Sequence, residues 1–318
     1  MKSIAELKEH VNLSSYGKRE KAWDIHKATS DTVSAIYDKY SNCPRDERKA
    51  DRIRDCAGYL DFGWYHNSDT GNNEIHLLRA HFCHCRACIV CAWRRSLMLK
   101  ARFSMNIEKV LDEYPKARFI FLTLTVKNCD VSDLKATLKN MSLAFKNLMK
   151  DKTITKDILG YVRNFEVTRG NDDSAHPHYH VLLMVKSSYF KSGHYLSQND
   201  FTLAWKKALK VDYTPIVDIR AIRNKADRTG VIKELFKYTI KELDISLDVW
   251  YKNVMEQLHK MRAISTGGAL KDVVKDIRQE SDDDMIHVDK DSDTMQSLNR
   301  IVTYEWNRPI KRYRKAKK

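Results

Sequence analysis

Apolar residues recur at two different spacings along the chain, and each spacing predicts its own kind of element. Runs rich in β-branched and aromatic residues predict strands at 119–126, 161–168, 178–185 and 216–222. Apolar residues three or four positions apart predict helices at 93–114, 132–149, 200–209, 230–243 and 249–261. Ser132 is the predicted N-cap of the second of these helices. A turn-rich stretch between the second and third strands predicts that they pair as a hairpin.

This succession predicts an α+β fold in which helices flank a central antiparallel sheet. Four segments follow one another: a polar, helical N-terminal segment (1–50), a cysteine-rich element with a helix (51–115), a core (116–245) and a helical C-terminal region (246–318). The C-terminal region contains an acidic run at 281–284 and ends in a basic run at 311–318. Charge runs of this kind are expected to be solvated and mobile.

Composition narrows the choice of partner and compartment. The 318 residues include 57 lysines and arginines against 42 acidic residues, a formal charge of +15. This excess favours a polyanionic partner, with nucleic acid the first expectation and an anionic membrane surface the second. No run approaches the roughly 18 apolar residues of a membrane span, and no signal core follows Met1, so we expect a cytoplasmic protein that does not insert into a membrane. In that reducing compartment, seven cysteines indicate metal binding rather than disulfides.

Three alternating histidines form the first candidate site. His176, His178 and His180 lie two positions apart on a predicted strand, so their imidazoles share one face of the sheet. The partner strand of the hairpin offers Glu166. Imidazole combined with a carboxylate suits Mn²⁺ or Mg²⁺, and we expect the ligands to be His178, His180 and Glu166. A single histidine in a strand is usually an ordinary polar residue, but a metal explains an alternating triplet better.

The second candidate site lies on the helix predicted at 230–243. Glu234 and Tyr238 are four residues apart and would share a helical face, and the same holds for Lys237 and Lys241. A tyrosine attacks a phosphodiester once its phenol has lost a proton, and the charge of Lys241 would favour that loss. Glu234 could activate the water or strand that later breaks the phosphotyrosine bond. Because such a pair commonly serves packing alone, its weight comes from the other motifs.

Cysteines between positions 83 and 91 form the third candidate site. The spacing of Cys88 and Cys91 can place two thiolates on one tetrahedral Zn²⁺. The four ligands would be Cys83, Cys88, Cys91 and one of Cys56, Cys85 or His84. A site closed by four protein ligands leaves no position for substrate, so the zinc is expected to be structural. The sequence that follows, Trp93-Arg94-Arg95, is similar to a nucleic-acid contact surface.

Together these motifs resemble one family, the rolling-circle replication initiators (Rep proteins) of small Gram-positive bacterial plasmids, in the pUB110-like branch of the HUH endonuclease superfamily. The resemblance covers most of the chain and is carried by segments 52–56, 82–95, 121–128 and 258–268, by Glu166-Val-Thr168 and His178-Tyr-His180, and by Glu234 with Tyr238. It implies that residues 116–245 form an α+β HUH endonuclease core, with a zinc-binding element before it and a helical region after it.

The resemblance also assigns roles to individual residues. It implies that His178 and His180 hold the catalytic divalent metal and that Tyr238 is the nucleophile. It further implies that Glu234 serves the terminating cleavage. The family pattern favours Cys56 as the fourth zinc ligand, since the family does not require a cysteine at position 85.

The reaction implied by the resemblance is origin-specific, metal-dependent nicking of one DNA strand. Attack by Tyr238 would leave a 5′ phosphotyrosine and a free 3′ hydroxyl that primes rolling-circle replication. The partner would be the plasmid double-strand origin, single-stranded or extruded as a hairpin at the nick. Because the sequence has no Gly-x4-Gly-Lys-Ser/Thr phosphate-binding loop, a host helicase is implied, together with a DNA polymerase.

Other functions would use only part of these motifs. A histidine-triad nucleotide hydrolase also carries alternating histidines before an apolar run, but it needs neither the tyrosine nor the cysteines. A zinc-containing DNA-binding regulator without catalysis would make the histidines structural. Within the HUH superfamily, a transposase or a relaxase is a further alternative.

Overall fold

The chain forms two compact units, each with its own antiparallel sheet. The structure is a computed structural model, and it describes residues 10–66, 73–237, 240, 245–246, 248–274, 281–286 and 298–317. The first unit comprises residues 1–98, 245–249 and 278–318, and the second comprises residues 99–244 and 250–277. Among the helices described, none has the length and apolar character needed to cross a membrane.

The elements are as follows in chain order. The strands are β1 (Tyr59–His66), β2 (Asn73–Ala80), β3 (Arg118–Thr125), β4 (Ile158–Arg169), β5 (Ala175–Val185), β6 (Val217–Ile222), β7 (Ser265–Gly268), β8 (Leu298–Asn307) and β9 (Arg312–Lys315). The α-helices are α1 (Lys18–Lys39), α2 (Pro44–Asp55), α3 (Ile89–Glu113), α4 (Leu134–Leu148), α5 (Lys152–Thr155), α6 (Gln198–Leu209), α7 (Lys225–Leu235), α8 (Trp250–Gln257) and α9 (Asp282–Ile286).

The first unit contains a sheet with the strand order β2-β1-β8-β9. Side chains alternate along β1, so that Leu60, Phe62 and Trp64 are buried while Tyr59 is exposed. The helices α1 and α2 belong to this unit, and so does α9. The acidic run therefore does not behave as a mobile segment, because it forms α9 and buries Met285.

The second unit contains a sheet with the strand order β6-β3-β5-β4-β7, and every pairing in it is antiparallel. The predicted α+β class with helix-flanked antiparallel sheets is confirmed. The predicted hairpin is β4 and β5, in which Glu166 lies opposite His178. The helix α4 covers one face of this sheet, where the ring of Phe145 lies 6.1 Å from that of Tyr179. Because side chains alternate along β5, Tyr179 faces away from the flanking histidines.

The helices predicted at 132–149 and 230–243 begin or end differently in the structure. Ser132 does not cap α4. The carboxylate of Asp130 instead accepts a hydrogen bond from the Ser132 amide at 2.8 Å, and a short 3-10 turn (Val131–Asp133) leads into the helix. The helix predicted at 230–243 is α7, which begins earlier and ends at Leu235. It ends there because Ile240 is buried against the sheet, where it forms a parallel bridge with Val167.

The C-terminal region holds strands that its sequence did not predict. Besides the helices α8 and α9, it supplies β7 to the second unit and the strands β8 and β9 to the first. The basic run is not a mobile tail, because four of its residues form β9. Its anchor is Tyr313, which is fully buried and donates its hydroxyl to the carbonyl of Ala57 at 2.6 Å.

Candidate active site

The hairpin register brings the predicted metal ligands onto one face of the second sheet. Glu166 on β4 lies directly opposite His178 on β5, and Asn164 lies opposite His180. On the other side of β5, His180 pairs with Thr123 of β3. Directly opposed residues in antiparallel strands point to the same side, so all these side chains share a face.

A single carboxylate oxygen links the two histidines. Oε2 of Glu166 lies 3.3 Å from Nε2 of His178 and 3.0 Å from Nε2 of His180. All three residues are buried, with Glu166 only 3% exposed. Burial alone would raise the pKa of Glu166, but hydrogen bonds from His178 and His180 outweigh that effect and hold the pKa well below its usual range. The carboxylate is therefore ionised, as a metal ligand must be.

The chemistry of this group fits a metal ion. One potential ligand atom from each of Glu166, His178 and His180 lies within 4.8 Å of the others. Nε2 of His178 and Nε2 of His180 converge on the same carboxylate oxygen of Glu166. Two imidazole nitrogens and an ionised carboxylate oxygen are a donor set that suits a divalent metal ion. We call these three residues the Glu-His-His group.

His176, the least secure of the predicted histidines, has a different set of contacts. Its Nδ1 lies 2.6 Å from Oδ1 of Asn128, and Nδ2 of Asn128 donates to Oγ of Ser174 at 2.9 Å. It does not belong to the Glu-His-His group, although its ring lies 5.5 Å from that of His178. The structure thus places His176 beside the group, in the network of the hairpin turn.

Glu234 reaches the same site from α7. Its Oε1 lies 3.9 Å from Nδ1 of His180. The other oxygen, Oε2, accepts a hydrogen bond from the guanidinium of Arg220 on β6 at 2.6 Å. Arg220 also lies over the ring of Phe121, which stacks on the ring of His180. Arg220 was not predicted from the sequence, because only the strand register shows that this exposed arginine shares a face with the histidines.

The chain after α7 is held against β4 at two points. Nδ2 of Asn164 donates to the carbonyl of Leu235 at 2.8 Å, and Oδ1 of Asn164 accepts from the amide of Phe165. Five residues further on, Ile240 bridges to Val167. Tyr238 and Lys241, the predicted nucleophile and its helper, lie outside the described residues. Asn164 was also missed from the sequence, since an isolated asparagine in a strand carries no pattern.

The four cysteines favoured by the resemblance come together in the first unit. One sulfur from each of Cys56, Cys83, Cys88 and Cys91 lies within 4.8 Å of the others, and all four residues are buried. Burial would raise the pKa of Cys88, but hydrogen bonds from the other thiols outweigh it and place the pKa well below its ordinary value. The group could hold a metal ion, since metals bind thiolates. Cys85 is half-buried and lies outside this group.

The predicted nucleic-acid contact after the cysteines is wrong for two of its three residues. Trp93 is buried, and Arg94 is only 3% exposed. The guanidinium of Arg94 donates to the carbonyls of Met285 and Ile286, at 2.7 and 3.1 Å. These bonds make Arg94 an internal anchor for α9 rather than a surface cation.

The fold and these groups define an α+β protein with two potential metal centres, and sequence comparisons identify its family. The model of the replication protein family matches residues 74–314. Three relatives carry the name Protein rep. The one from Streptococcus pneumoniae serotype 2 is 35% identical to this chain, over 84% of this chain and 84% of the relative. The one from Lactiplantibacillus plantarum is 37% identical, over 82% of this chain and 86% of the relative, and the one from Bacillus amyloliquefaciens is 31% identical, over 93% and 94%. No solved structure gives a significant match.

The chain belongs to the replication protein family. The resemblance to Rep initiators of plasmid rolling-circle replication, recognised from the sequence motifs, is thereby confirmed.

Proposed function

We propose that this protein initiates plasmid replication by nicking one strand of the double-strand origin with Tyr238, assisted by a divalent metal. Membership of the replication protein family supports initiation and binding of origin DNA. The observation that carries the nicking step is the convergence of Glu234 on the Glu-His-His group, with Glu234 lying 3.9 Å from His180. A buried metal site beside a further carboxylate is the equipment that phosphodiester cleavage needs.

In this proposal Mn²⁺ or Mg²⁺, held by Glu166, His178 and His180, supplies Lewis-acid activation of the scissile phosphate. The phenolate of Tyr238 forms a bond to phosphorus while the bond to the 3′ oxygen breaks. The phenol proton leaves to a base or to water, and the 3′ oxygen takes up a proton to become the primer hydroxyl. Lys241 would favour the phenolate electrostatically.

The positions of neighbouring residues support Tyr238 as the nucleophile. Leu235 and Ile240, which flank it in the sequence, are both held against β4, the strand that carries Glu166. Glu234 serves the second cleavage by accepting a proton from the attacking water or strand. Arg220 orients that carboxylate through its ion pair, and thereby keeps it turned toward the site.

The group of four cysteines would hold a structural Zn²⁺ in the first unit, because four buried thiolates complete a tetrahedral site. The free 3′ hydroxyl implies a host DNA polymerase as a partner, and a host helicase would unwind the duplex. We place this work in the bacterial cytoplasm, where the plasmid is found.

The test is a nicking assay on supercoiled plasmid that carries the cognate origin, with Mn²⁺ present. We expect an open circle with protein joined to the 5′ end, and Tyr238→Phe should abolish both products. Tyr195→Phe is the matched control, because Tyr195 is an exposed tyrosine of the same unit. If Tyr238→Phe still forms the adduct, the nucleophile is misassigned. If wild-type protein binds the origin without nicking it, a non-catalytic DNA-binding role is correct.

A further inference from the structure

Three lysines come together where α3 packs on α7 in the second unit. The rings of Phe103 and Phe236 lie 5.6 Å apart, and Arg228 forms an ion pair with Glu108 at 2.8 Å. These two contacts show that the helices run antiparallel, since the later residue of α3 meets the earlier residue of α7. The end of α7 therefore lies next to the part of α3 that precedes Phe103.

Lys100 occupies that part of α3, one turn before Phe103. Lys233 and Lys237 lie on either side of Phe236, four residues apart. Lys100 is half-buried, while Lys233 and Lys237 are exposed. We call these three residues the lysine cluster.

The lysine cluster carries positive charge that the described residues do not neutralise. Among the residues that the structure describes, no carboxylate forms an ion pair with any of the three amines. Neighbouring cations differ, since Arg220 pairs with Glu234 and Arg228 pairs with Glu108. Burial lowers the pKa of Lys100, and repulsion from Lys233 and Lys237 lowers it further. Because these like charges repel one another, a bound anion would stabilise the arrangement.

The cluster adjoins the candidate active site. Glu234, which reaches the Glu-His-His group, directly follows Lys233, and the amide of Lys237 donates to the carbonyl of Glu234 at 3.3 Å. Lys237 also directly precedes Tyr238 in the sequence. An anion held by these amines would therefore lie close to a strand cleaved at the site.

We propose that the lysine cluster binds backbone phosphates of the single DNA strand next to the nick, and so holds the scissile bond in place. This inference rests on the proposed nicking function. Ammonium groups bind phosphates as point charges and do not select bases, so the grip is independent of sequence. A DNA strand, rather than a free nucleotide, suits a chain with a charge of +15 and no glycine-rich phosphate-binding loop.

The first test is the salt dependence of binding to a labelled single strand of mixed sequence, measured by fluorescence anisotropy on the full chain with no Mn²⁺ or Mg²⁺ added. Each phosphate contact contributes about 0.7 to the slope of log K against log salt for single strands. Lys100→Gln, Lys233→Gln and Lys237→Gln should each lower that slope by about this amount. Lys100→Arg should keep it.

The controls are Lys139→Gln and Lys146→Gln. Both lysines are exposed on α4, which covers the sheet face opposite the histidines. They remove the same charge from the same unit, so their slopes should match the wild-type slope. If the cluster variants change the slope no more than these controls do, the lysine cluster does not bind the strand.

The second test measures the melting temperature of the same variants without DNA. If the cluster exists for a ligand, removing one lysine relieves repulsion, so Lys100→Gln should melt at or above the wild-type temperature while binding DNA more weakly. A lysine with a purely structural role would give a lower melting temperature, and that result contradicts the proposal. The proposal would also be wrong if a nucleoside triphosphate raised the melting temperature of the wild type but not of the cluster variants, and if single-stranded DNA did not compete with that effect.

The two proposals fail in distinguishable ways. If the slopes change as expected but Tyr238→Phe still forms the adduct, the cluster binds DNA and only the nucleophile is wrong. If wild-type protein forms the adduct while the cluster variants keep the wild-type salt slope, the nicking function is correct and the lysine cluster does not bind the strand.

Discussion

Asn164 and Leu235 are joined by a hydrogen bond of 2.8 Å from the side-chain amide to the backbone carbonyl. Asn164 lies opposite His180 in the sheet, and Leu235 is the last residue of α7. The bond satisfies a carbonyl at a helix end, where no intrahelical donor is available. It also fixes the end of α7, which carries Glu234, relative to the histidines.

Replacing Asn164 should therefore damage positioning more than metal binding. Asn164→Leu removes the donor, and we expect the rate of adduct formation to fall at least tenfold, since small misplacements of reacting groups are costly. Mn²⁺ affinity, measured by titration calorimetry, should stay close to the wild-type value because the Glu-His-His group is intact. The loss of one buried hydrogen bond should cost about 1–3 kcal/mol of unfolding free energy.

Asn106→Leu provides the matched control. Asn106 also donates from its side chain to a backbone carbonyl of the second unit, that of Val273, at 3.2 Å. It should destabilise the unit while leaving the adduct rate unchanged. Equal rate losses in the two variants would mean that general destabilisation, and not positioning, explains the effect of Asn164.

If the Glu-His-His group binds the divalent metal, substitution of its members should lower the affinity for Mn²⁺. Glu166→Gln keeps the shape of the side chain but removes the charge that Oε2 presents to His178 and His180. We expect Mn²⁺ affinity to fall by at least tenfold, because a ligand is lost and the remaining ones lose their orientation. His178→Ala should have a similar effect, and both variants should lose nicking.

His194→Ala is the control for these variants. His194 belongs to the same unit but pairs with Asp157 at 2.7 Å and does not belong to the metal group. Its Mn²⁺ affinity should equal that of the wild type. Unchanged affinity in Glu166→Gln would remove Glu166 from the ligand set.

The part of this site that the sequence predicted rests on local periodicity. His178 and His180 share a face because strand side chains alternate, and Glu166 joins them because a short turn sets the hairpin register. Arg220 and Asn164 could not be found in the same way, since their roles depend on β6 and α7 meeting the hairpin from distant parts of the chain.

Helix ends and edge strands were also not predicted correctly, because contacts between distant parts of the chain determine them. The apolar spacing at 230–243 is helical, but Ile240 pairs with β4, and tertiary contact overrides local preference there. The basic run that contains β9 has the pattern of a solvated segment, because Tyr313 is the one buried side chain among the four residues of β9. Its partner strand β8 lies close in sequence, and the two strands pair antiparallel.

The four-cysteine group gives a prediction about stoichiometry and stability. Purified protein should contain about one zinc per chain, because four buried thiolates form a closed tetrahedral site. Cys56→Ser and Cys88→Ser should lose the metal and lower the melting temperature, since metal binding is coupled to folding. Metal analysis and thermal unfolding measure the two effects.

A substitution at Cys85 tests whether Cys56 or Cys85 is the fourth zinc ligand. It is half-buried beside the group but is not one of its four members. Cys85→Ser should keep the zinc, as should Cys43→Ser. A zinc loss in Cys85→Ser, with the zinc retained in Cys56→Ser, would exchange these two residues in the ligand set.

Asp157 gives a prediction about pH. Its Oδ1 accepts from the hydroxyl of Ser188, and its Oδ2 accepts from Nδ1 of His194, both at 2.7 Å. Burial would raise the pKa of Asp157, but these hydrogen bonds outweigh it and lower the pKa below the ordinary value. A carboxyl with a lowered pKa stabilises the fold above the unfolded-state pKa, and this contribution disappears as the pH falls through the folded-state value.

Asp157→Asn should therefore cost about 1–3 kcal/mol of unfolding free energy near neutral pH, as expected for hydrogen bonds to a charged group. The difference from wild type should persist down to about pH 5 and shrink below about pH 4, because the unfolded aspartate titrates near 3.9. Urea unfolding at a series of pH values measures it, with Asp112→Asn, an exposed carboxylate on α3, as the control. A difference that stays constant into acid would show that the carboxylate charge is not what stabilises this loop.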